Sequence, residues 1–314
     1  MREKSRGKGS PVNEAEKSNE KDCDKDNECL AGCILLLQEG RAQEAADALR
    51  KAFERDPSAI DIRYYLACAL LEAGNYKEAA RRVLESVIFR AGIDRDDLSG
   101  LVVTGVGAES APFTGLTVSD ISCQAMGCHC FFPSARTVVD IGGQFTKAAR
   151  ITAEGRVADF LMSEKCATGS GRFLQVIARI LHVPLEEIGS LSLRSITPVE
   201  FSTNCAVFAE SETISRLAEG ARAEDILAGV HRAMASKVAM LAKRVKMEPD
   251  VVLTGGGGED AGLVRAINAV LGISVLVPEV PRFTAAFGAA SLAEKRELDQ
   301  QPAIRESAGL VSIL

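Results

Sequence analysis

Three glycine-rich segments of the sequence have the composition of loops that bind phosphate groups. They are DIGGQ at 140–144, ATGSGR at 167–172 and TGGGGED at 254–260, each predicted at a strand end or a helix start. Glycine exposes backbone N–H groups with no Cβ in the way, and such groups at a helix N-terminus bind anions. One segment of this kind is weak evidence, but three in one region indicate a nucleotide.

The segment 138–147, VVDIGGQFTK, is also typical of an ordinary β-hairpin, because Gly-Gly between two β-rich runs favours a tight turn. Both interpretations describe the same backbone. If a nucleotide binds here, Asp140 is the candidate to hold Mg²⁺ through water, and Gln144 is the candidate to orient an attacking water. The alternative for Asp140 is a carboxylate that caps the turn.

The composition excludes several classes of function. The chain of 314 residues has a net charge of −6, no Trp and 5% aromatic residues, which argues against a nucleic-acid partner and against base-stacking surfaces. No run approaches the length of a membrane-spanning helix, and the polar N-terminus lacks the apolar core of a signal peptide. We therefore expect a cytoplasmic protein with neither a nucleic-acid nor a membrane partner.

The nine cysteines do not indicate a disulfide framework, because their number is odd and the chain has a cytosolic composition. Most are expected to pack as small hydrophobic residues. They are Cys23, Cys29, Cys33, Cys68, Cys123, Cys128, Cys130, Cys166 and Cys205.

The N-terminal part of the chain divides into two regions. Residues 1–27 are charged and polar, which predicts a disordered arm. Residues 28–92 contain a repeat, in which the pattern at 40–45 returns 34 residues later at 74–79. This period resembles that of tetratricopeptide repeats, whose helical hairpins form protein-docking surfaces. Generic helical hairpins are the alternative.

From residue 93 onward, strands alternate with helices, which is typical of an α/β domain. We assign this domain to residues 93–298 and the C-terminal tail to 299–314. Strands are predicted within 98–107, 137–143 and 251–279, and two more within 147–163. Helices are predicted within 117–132, 166–183, 224–245, 251–279 and 282–298.

Eight motifs in consecutive order resemble those of one ATPase family. They are TGVGAESAPF, SDISCQAMGCHCFFP, TVVDIGGQFTKAARI, SEKCATGSGRFL, STNCAVFAESETISRLAEG, DILAGVHRAMASKVAMLAKRV, VVLTGGGGEDAGLVRAI and FTAAFGAASLAE, within roughly residues 85–296. The chain resembles the BadF/BadG/BcrA/BcrD-type ATPases, which include activators of 2-hydroxyacyl-CoA dehydratases and ATP-binding subunits of benzoyl-CoA reductase. The resemblance implies an actin-like ATPase fold built from two ribonuclease H-like halves.

The same resemblance implies a redox function. ATP hydrolysis would drive an electron from a [4Fe–4S] cluster, one per dimer, to a CoA-ester dehydratase or reductase component. Cys123 and Cys166 match the two family cysteines that hold this cluster between two subunits, in a homodimer or in a heterodimer with a related ATPase subunit. A cluster shared in this way requires both cysteines to lie near one protein surface. Cys205 matches a structural cysteine, and Cys128 and Cys130 are expected to pack in the interior.

The resemblance also assigns the residues that would bind ATP or ADP with Mg²⁺. The matching positions are Asp140, Gly142, Gly143, Gln144, Lys147, Glu210, Gly255, Gly256 and Gly257, and Gly169 and Gly171 lie in the glycine-rich segment before the helix.

Two of the departures from the family pattern bear on the first and second phosphate loops. No strand–turn–strand with a DIGS-type phosphate loop precedes the α/β region, so a truncated first half is expected, with a bare sheet edge that the helical hairpins or another chain would cover. Phe145 stands where an acidic residue normally follows DIGGQ. Two functions therefore stay open: an ATP-dependent electron-transfer activator, and a catalytically degenerate subunit that docks an intact activator or reductase component through its helical repeats.

Overall fold

The computed structural model describes residues 29–57, 59–113, 115–163, 169–201 and 206–300. They form two compact units, one containing residues up to Ser99 together with Val106–Thr114, and the other containing Gly100–Gly105 and the residues from Gly115 onward. The predicted arm at 1–27 and most of the predicted tail, from residue 301, lie outside the described residues.

The first unit is helical. Helix α1 covers residues 29–38, and it is followed by α2 (Ala42–Arg55), α3 (Ile60–Glu72) and α4 (Tyr76–Ala91). Small and branched apolar side chains on α2 and α3 form its core, with Ala45, Leu49, Leu66 and Leu70 almost completely buried.

Glycines at equivalent positions of the repeat connect these helices. Gly40 precedes α2 and Gly74 precedes α4, with φ angles of +77° and +79° that favour glycine. The helical hairpins are therefore present, whereas their relation to tetratricopeptide repeats stays a prediction.

A four-stranded mixed sheet forms the centre of the second unit. Strands β3 (Thr137–Ile141), β4 (Thr146–Ile151) and β5 (Val157–Met162) make an antiparallel meander, and β6 (Val251–Thr254) pairs with β3 in parallel. The strand order is β5-β4-β3-β6. All residues of β3 are buried, because helices cover both faces of this strand.

Alternate residues of the sheet contact different helices. Val138 and Val252 pack with α5 (Asp120–Phe131) on one face. Val139, Ile141 and Leu253 face the opposite side. There they pack with α6 (Gly171–Leu181), α9 (Ala223–Arg244) and α10 (Ala261–Leu271). The short α7 (Ile188–Ser192) packs on α9, and α8 (Ala206–Ala218) packs on α6. Among the described residues, no helix combines the length and apolar character needed to cross a membrane.

Two predicted strands are shorter than expected. The strand predicted at 98–107 is reduced to β1 (Val102–Val103), which pairs in parallel with β2 (Leu116–Thr117). Its partner is equally short, and Gly105 turns the chain away with a φ of +89°. The last predicted strand within 251–279 is represented by a single bridge between Leu276 and Val252. The expected truncation of the first half-domain, and the covering of a sheet edge by the helices, stay predictions.

Two glycines allow α5 to approach α11 (Thr284–Gln300) closely. A Cβ at Gly288 would overlap the carbonyl oxygen of Cys123, and a Cβ at Gly127 would overlap the carbonyl oxygen of Thr284. The two helix backbones are therefore in direct contact, and this contact fixes the part of α5 that carries Cys123.

We expect Gly288→Ala to destabilise the second unit by about 1–3 kcal/mol, because the new methyl group must separate α5 from α11. Hydrogen exchange measured peptide by peptide should show faster exchange in both helices. The matched control is Gly32→Ala in α1, where a Cβ would meet no atom within 4 Å. That substitution should stabilise its helix by about 0.5–1 kcal/mol. Equal effects of the two substitutions would contradict the close approach.

Candidate nucleotide-binding site

Two of the three glycine segments are joined by backbone hydrogen bonds. The hairpin between β3 and β4 is closed by a hydrogen bond from Gly142 N to Phe145 O (2.9 Å), which confirms the predicted turn. At the start of α6, Gly171 N donates to Gly142 O (2.9 Å) and Arg172 N donates to Gly143 O (2.8 Å). A Cβ at Gly171 would lie 3.3 Å from the Gly143 Cα, so only glycine fits without displacing the loop.

These bonds change the expected role of the α6 N-terminus. The N–H groups of Gly171 and Arg172 already donate to the hairpin, so they are not free to bind a phosphate group. In contrast, the backbone N–H groups of Gly143 and Gln144 donate to no carbonyl of the described residues. The hairpin loop itself is therefore the better anion-binding candidate, and α6 supports it.

The third glycine segment packs against the end of β3. Gly255 has a φ of +78°, and a Cβ at this position would overlap the Asp140 carboxylate and lie 2.6 Å from Ile141 O. A Cβ at Gly257 would lie 2.5 Å from the Cβ of Ile141. Gly256 is exposed, with no atom near its Cβ position. All three glycine segments thus meet at the carboxyl end of β3, where open α/β sheets bind ligands.

Asp140 is the buried charge at this point of convergence. Its residue exposure is 6%, and burial raises the pKa of its carboxyl to about 6. No backbone N–H of the described residues donates to its side chain, so the contacts of the carboxylate do not support the turn-capping alternative. The cation nearest to it among the described residues is the Lys147 ammonium, whose Nζ lies 3.9 Å from Asp140 Oδ2 across the β3–β4 pair.

The other predicted residues of the nucleotide site are arranged less closely. Gln144 is exposed in the hairpin loop, and its side chain makes no hydrogen bond with the described residues, which leaves it available to a ligand. Glu210 lies on α8 and shares no hydrogen bond or ion pair with the glycine segments in the described part of the chain. Gly169 accepts a hydrogen bond from Thr146 Oγ1 through its carbonyl oxygen.

Sequence reasoning missed Asp120, the first residue of α5. Its Oδ2 accepts a hydrogen bond from Lys147 Nζ, and its Oδ1 accepts one from Ile121 N (2.8 Å). Burial lowers the pKa of Lys147. The sequence feature that could have indicated Asp120 as a site residue is its position in the SDISCQ motif, three residues before Cys123.

A second missed contact joins β6 to α5. Thr254 pairs with Asp140 in the β3–β6 register, and its Oγ1 lies 2.8 Å from Pro281 O and 3.2 Å from Gln124 Oε1. Both Thr254 and Gln124 are buried. Polar side chains of β3, β4, β6 and α5 therefore surround one end of the sheet.

The structure describes one of the two candidate cluster ligands. Cys123 has no exposed area, and burial raises the pKa of its thiol, while the nearby Thr104 hydroxyl lowers it. Thr104 Oγ1 is itself buried and has no oxygen or nitrogen partner among the described residues. Cys166 lies in the segment 164–168, outside the described residues. Cys123 is therefore covered in the single chain, and the expectation that both cysteines lie near one surface stays a prediction, because Cys166 is not described.

The remaining cysteines of α5 differ from each other. Cys128 is completely buried, as expected, and burial raises the pKa of its thiol, with a contribution from Asp140. The interior position predicted for Cys130 is wrong, because this residue is exposed with its Sγ 3.6 Å from Ser291 Oγ. Two residues along a helix rotate the side chain by about 200°, so Cys128 and Cys130 face opposite sides. Cys205 lies outside the described residues.

A metal site complete within this chain is not found in the described ranges, which contain no group of three or more His, Cys, Asp or Glu side chains arranged to hold an ion. Two cysteines from each of two subunits would not form such a group in one chain.

Comparison with known proteins gives a family match over most of the chain. The model of the BadF/BadG/BcrA/BcrD ATPase family matches residues 52–293. This match begins inside α2, earlier than the motifs indicated, and so includes α3 and α4.

Individual relatives agree with the family match. The chain is 39% identical over 240 residues to the 2-hydroxyisocaproyl-CoA dehydratase activator of Clostridioides difficile, covering 76% of this chain and 90% of the relative. It is 37% identical over 237 residues to the (R)-2-hydroxyglutaryl-CoA dehydratase activating ATPase of Acidaminococcus fermentans, covering 75% and 91%. The solved structure of the Clostridium difficile activator with bound ADPNP superposes with a TM-score of 0.68 at 41% identity, covering 71% of this chain and 83% of that structure.

We expect Asp140→Asn to stabilise the metal-free protein at neutral pH. Burial raises the pKa of Asp140 from 3.8 to about 6, so the native state favours the protonated carboxyl and loses stability as the pH rises from about 4 through 6. At about 1.4 kcal/mol per pKa unit, the ionised carboxylate destabilises the fold by up to about 3 kcal/mol above this range. Urea denaturation with a chelator present should show a gain that is largest at neutral pH and disappears near pH 4.

The control for this experiment is Asp159→Asn, which removes an exposed carboxylate from β5. It should leave the free energy of unfolding nearly unchanged at each pH. A loss of stability in Asp140→Asn at neutral pH would show that the carboxylate is compensated in the native state.

Proposed function

Because the chain belongs to the BadF/BadG/BcrA/BcrD ATPase family, we propose that it binds a magnesium adenine nucleotide and acts as an ATP-dependent activator of an enzyme that transforms CoA thioesters. The observation that carries this proposal is the convergence of three glycine segments around the buried carboxylate of Asp140. Relatives that activate CoA-ester dehydratases, with this chain covering most of their length, support the same role.

The chemistry of Asp140 fits a divalent cation. A carboxylate that is nine-tenths removed from solvent, with an ammonium no nearer than 3.9 Å, lacks full compensation for its charge. Mg²⁺ held through water would supply that compensation and would neutralise phosphate oxygens. The N–H groups of Gly143 and Gln144, which donate to no carbonyl of the described residues, would donate to phosphate oxygens, and the exposed Gln144 side chain would orient the attacking water.

The second part of the proposal is a [4Fe–4S] cluster held by Cys123 and Cys166 from each of two subunits, in a homodimer or a heterodimer. The donor set is suitable, because thiolates are the ligands such clusters take, and the buried Thr104 hydroxyl lies within hydrogen-bonding reach of the Cys123 thiol and can donate to a sulfur atom. The group would supply one-electron transfer to the partner enzyme. Since Cys123 is buried in the single chain, ligation would require its thiol to become accessible to the second subunit. Reduced thiols of this kind fit a cytoplasmic location.

A second candidate function is a subunit that docks an intact activator or reductase component without hydrolysing ATP. Phe145 favours it, because an aromatic side chain replaces the carboxylate that the family pattern places beside the phosphates. The helical first unit would then supply the docking surface. The two candidates make different predictions about nucleotide binding.

Isothermal titration calorimetry with MgADP tests the nucleotide site. The wild-type protein should bind, and Asp140→Asn should lower the affinity by about tenfold or more, equivalent to about 1.4 kcal/mol, because a neutral amide no longer balances the charge of Mg²⁺. Asp159→Asn is the control and should bind as the wild type does. Absence of heat at millimolar MgADP would exclude the activator and leave the docking subunit.

Iron and acid-labile sulfide, measured after purification without oxygen, test the cluster. We expect four of each per dimer, with loss in both Cys123→Ser and Cys166→Ser, because each substitution removes two of the four thiolates. Cys130→Ser changes an exposed cysteine of the same helix and should keep the full content. A protein that contains no iron after reconstitution would overturn this part of the proposal.

A further inference from the structure

The first unit contains an arginine-rich cavity with a volume of about 400 Å³. All residues that line it belong to this unit and come from α2, α3, α4 and the segments after α4. Four arginines line the cavity, against one Glu and one Asp, and they are Arg63, Arg81, Arg82 and Arg95. The lining is therefore positively charged, although the chain as a whole has a net charge of −6.

Phenylalanine rings orient two of these arginines. The Arg63 Cζ lies 4.3 Å from the centre of the Phe89 ring and 5.6 Å from the centre of the Phe53 ring. The Arg95 Cζ lies 5.9 Å from the centre of the Phe113 ring. A guanidinium that stacks on a ring keeps the N–H groups at its edge, where they can donate in parallel to a carboxylate. The rings therefore position the guanidinium groups and leave their donors available.

The four guanidinium groups differ in their ion pairs. Arg81 and Arg82 pair with the Glu78 carboxylate at 3.2 and 2.9 Å. Arg63 donates from Nε to a backbone carbonyl oxygen, so its two terminal nitrogens stay available. Within the part of the chain that the structure describes, neither Arg63 nor Arg95 forms an ion pair with a carboxylate. Two positive charges of the cavity are therefore not compensated.

Exposed apolar side chains accompany these charges. Phe89 is 53% exposed and Ile93 is 40% exposed, and both line the cavity. A small carboxylate alone would leave these side chains in water. A peptide segment that carries an apolar residue next to an acidic one would cover them and balance the charges at the same time. Arginine and aromatic side chains are also enriched where proteins bind each other.

We propose that this cavity is a docking site for an acidic segment of a partner protein. Carboxylate side chains of the segment bind Arg63 and Arg95, and an apolar neighbour packs on Phe89 and Ile93. The proposal goes beyond the proposed function, because it specifies a site and a ligand chemistry that require neither ATP hydrolysis nor a cluster. It applies to the activator and to the docking subunit alike.

Isothermal titration calorimetry of the full chain with a synthetic peptide tests the site. The peptide contains two Glu-Leu pairs separated by Gly-Ser, with an acetylated N-terminus and an amidated C-terminus, so that only its side chains are charged. The wild type should bind it. The matched peptide with Gln in place of Glu should bind at least about tenfold more weakly, because it cannot accept charge-assisted hydrogen bonds from guanidinium groups.

Substitutions in the cavity locate the binding. Arg63→Gln and Arg95→Gln should each weaken binding of the Glu-Leu peptide by about tenfold. Arg63→Lys keeps the charge but loses the planar group, so it should weaken binding by about fivefold. Arg95 lies outside α1 to α4, so the Arg95→Gln result stands even if a substitution of Arg63 disturbs the packing of the helices.

The matched control is Arg50→Gln, which removes the same charge from α2. Arg50 pairs with Asp47 (2.9 Å) and does not line the cavity. This variant should bind the Glu-Leu peptide within about twofold of the wild type. An equal loss in Arg50→Gln and Arg63→Gln would show attraction by the overall charge of the unit and would overturn the proposal.

Three further results would overturn the docking site. They are absence of heat with the Glu-Leu peptide, equal binding of the Gln peptide, and binding of free glutarate as tight as that of the Glu-Leu peptide. The last result would show a site for small carboxylates and not for a peptide. None of these titrations contains MgADP, so failure of the nucleotide proposal leaves their outcome unchanged.

Discussion

A carboxylate buried at the end of a central strand constrains the rest of the second unit. β3 is covered on both faces, so Asp140 has little access to water and needs a proton or a cation to balance its charge. The surrounding sequence fits this requirement. Glycine at position 255 leaves room for the carboxylate. Lys147 lies opposite Asp140 and compensates its negative charge only in part. With no ligand bound, the ionised carboxylate makes the fold less stable than a neutral side chain would. Such a loss of stability is expected where a ligand completes the structure.

The second constraint is the contact between α5 and α11, because α5 carries Cys123 and also contacts the polar residues at the end of the sheet. Glycines on both helices bring the backbones together, so the middle of α5 has one position relative to α11. The start of α5 is held differently, by the ion pair of Asp120 with Lys147 and by the buried contact between Gln124 and Thr254. These are polar contacts with residues of the candidate nucleotide site. The candidate cluster ligand lies where both kinds of contact meet, because the carbonyl oxygen of Cys123 faces Gly288.

The sequence predicted the elements whose signals are local. The hairpin at Gly142-Gly143 and helices α5, α6 and α9 were predicted because turn residues and apolar periods lie within one segment. The polar contacts of the site were not predicted, since Asp120 and Lys147 are 27 positions apart and only the fold brings them together. The strand predicted within 98–107 was too long because its length depends on a partner strand of two residues. Cys130 was misplaced because a helix rich in small residues gives little sign of which face is buried.

The hydrogen bonds of the hairpin loop limit the effect that the Phe145 side chain can have on the loop. The loop is held by backbone hydrogen bonds, from Gly142 N to Phe145 O and from the first residues of α6 to Gly142 and Gly143. None of these bonds depends on the side chain at position 145, so replacing an acidic residue by phenylalanine leaves the loop conformation intact. What the substitution removes is a negative charge that could take part in catalysis. Phe145 therefore leaves the backbone of the candidate anion-binding loop unchanged, and its effect is limited to the charge beside that loop.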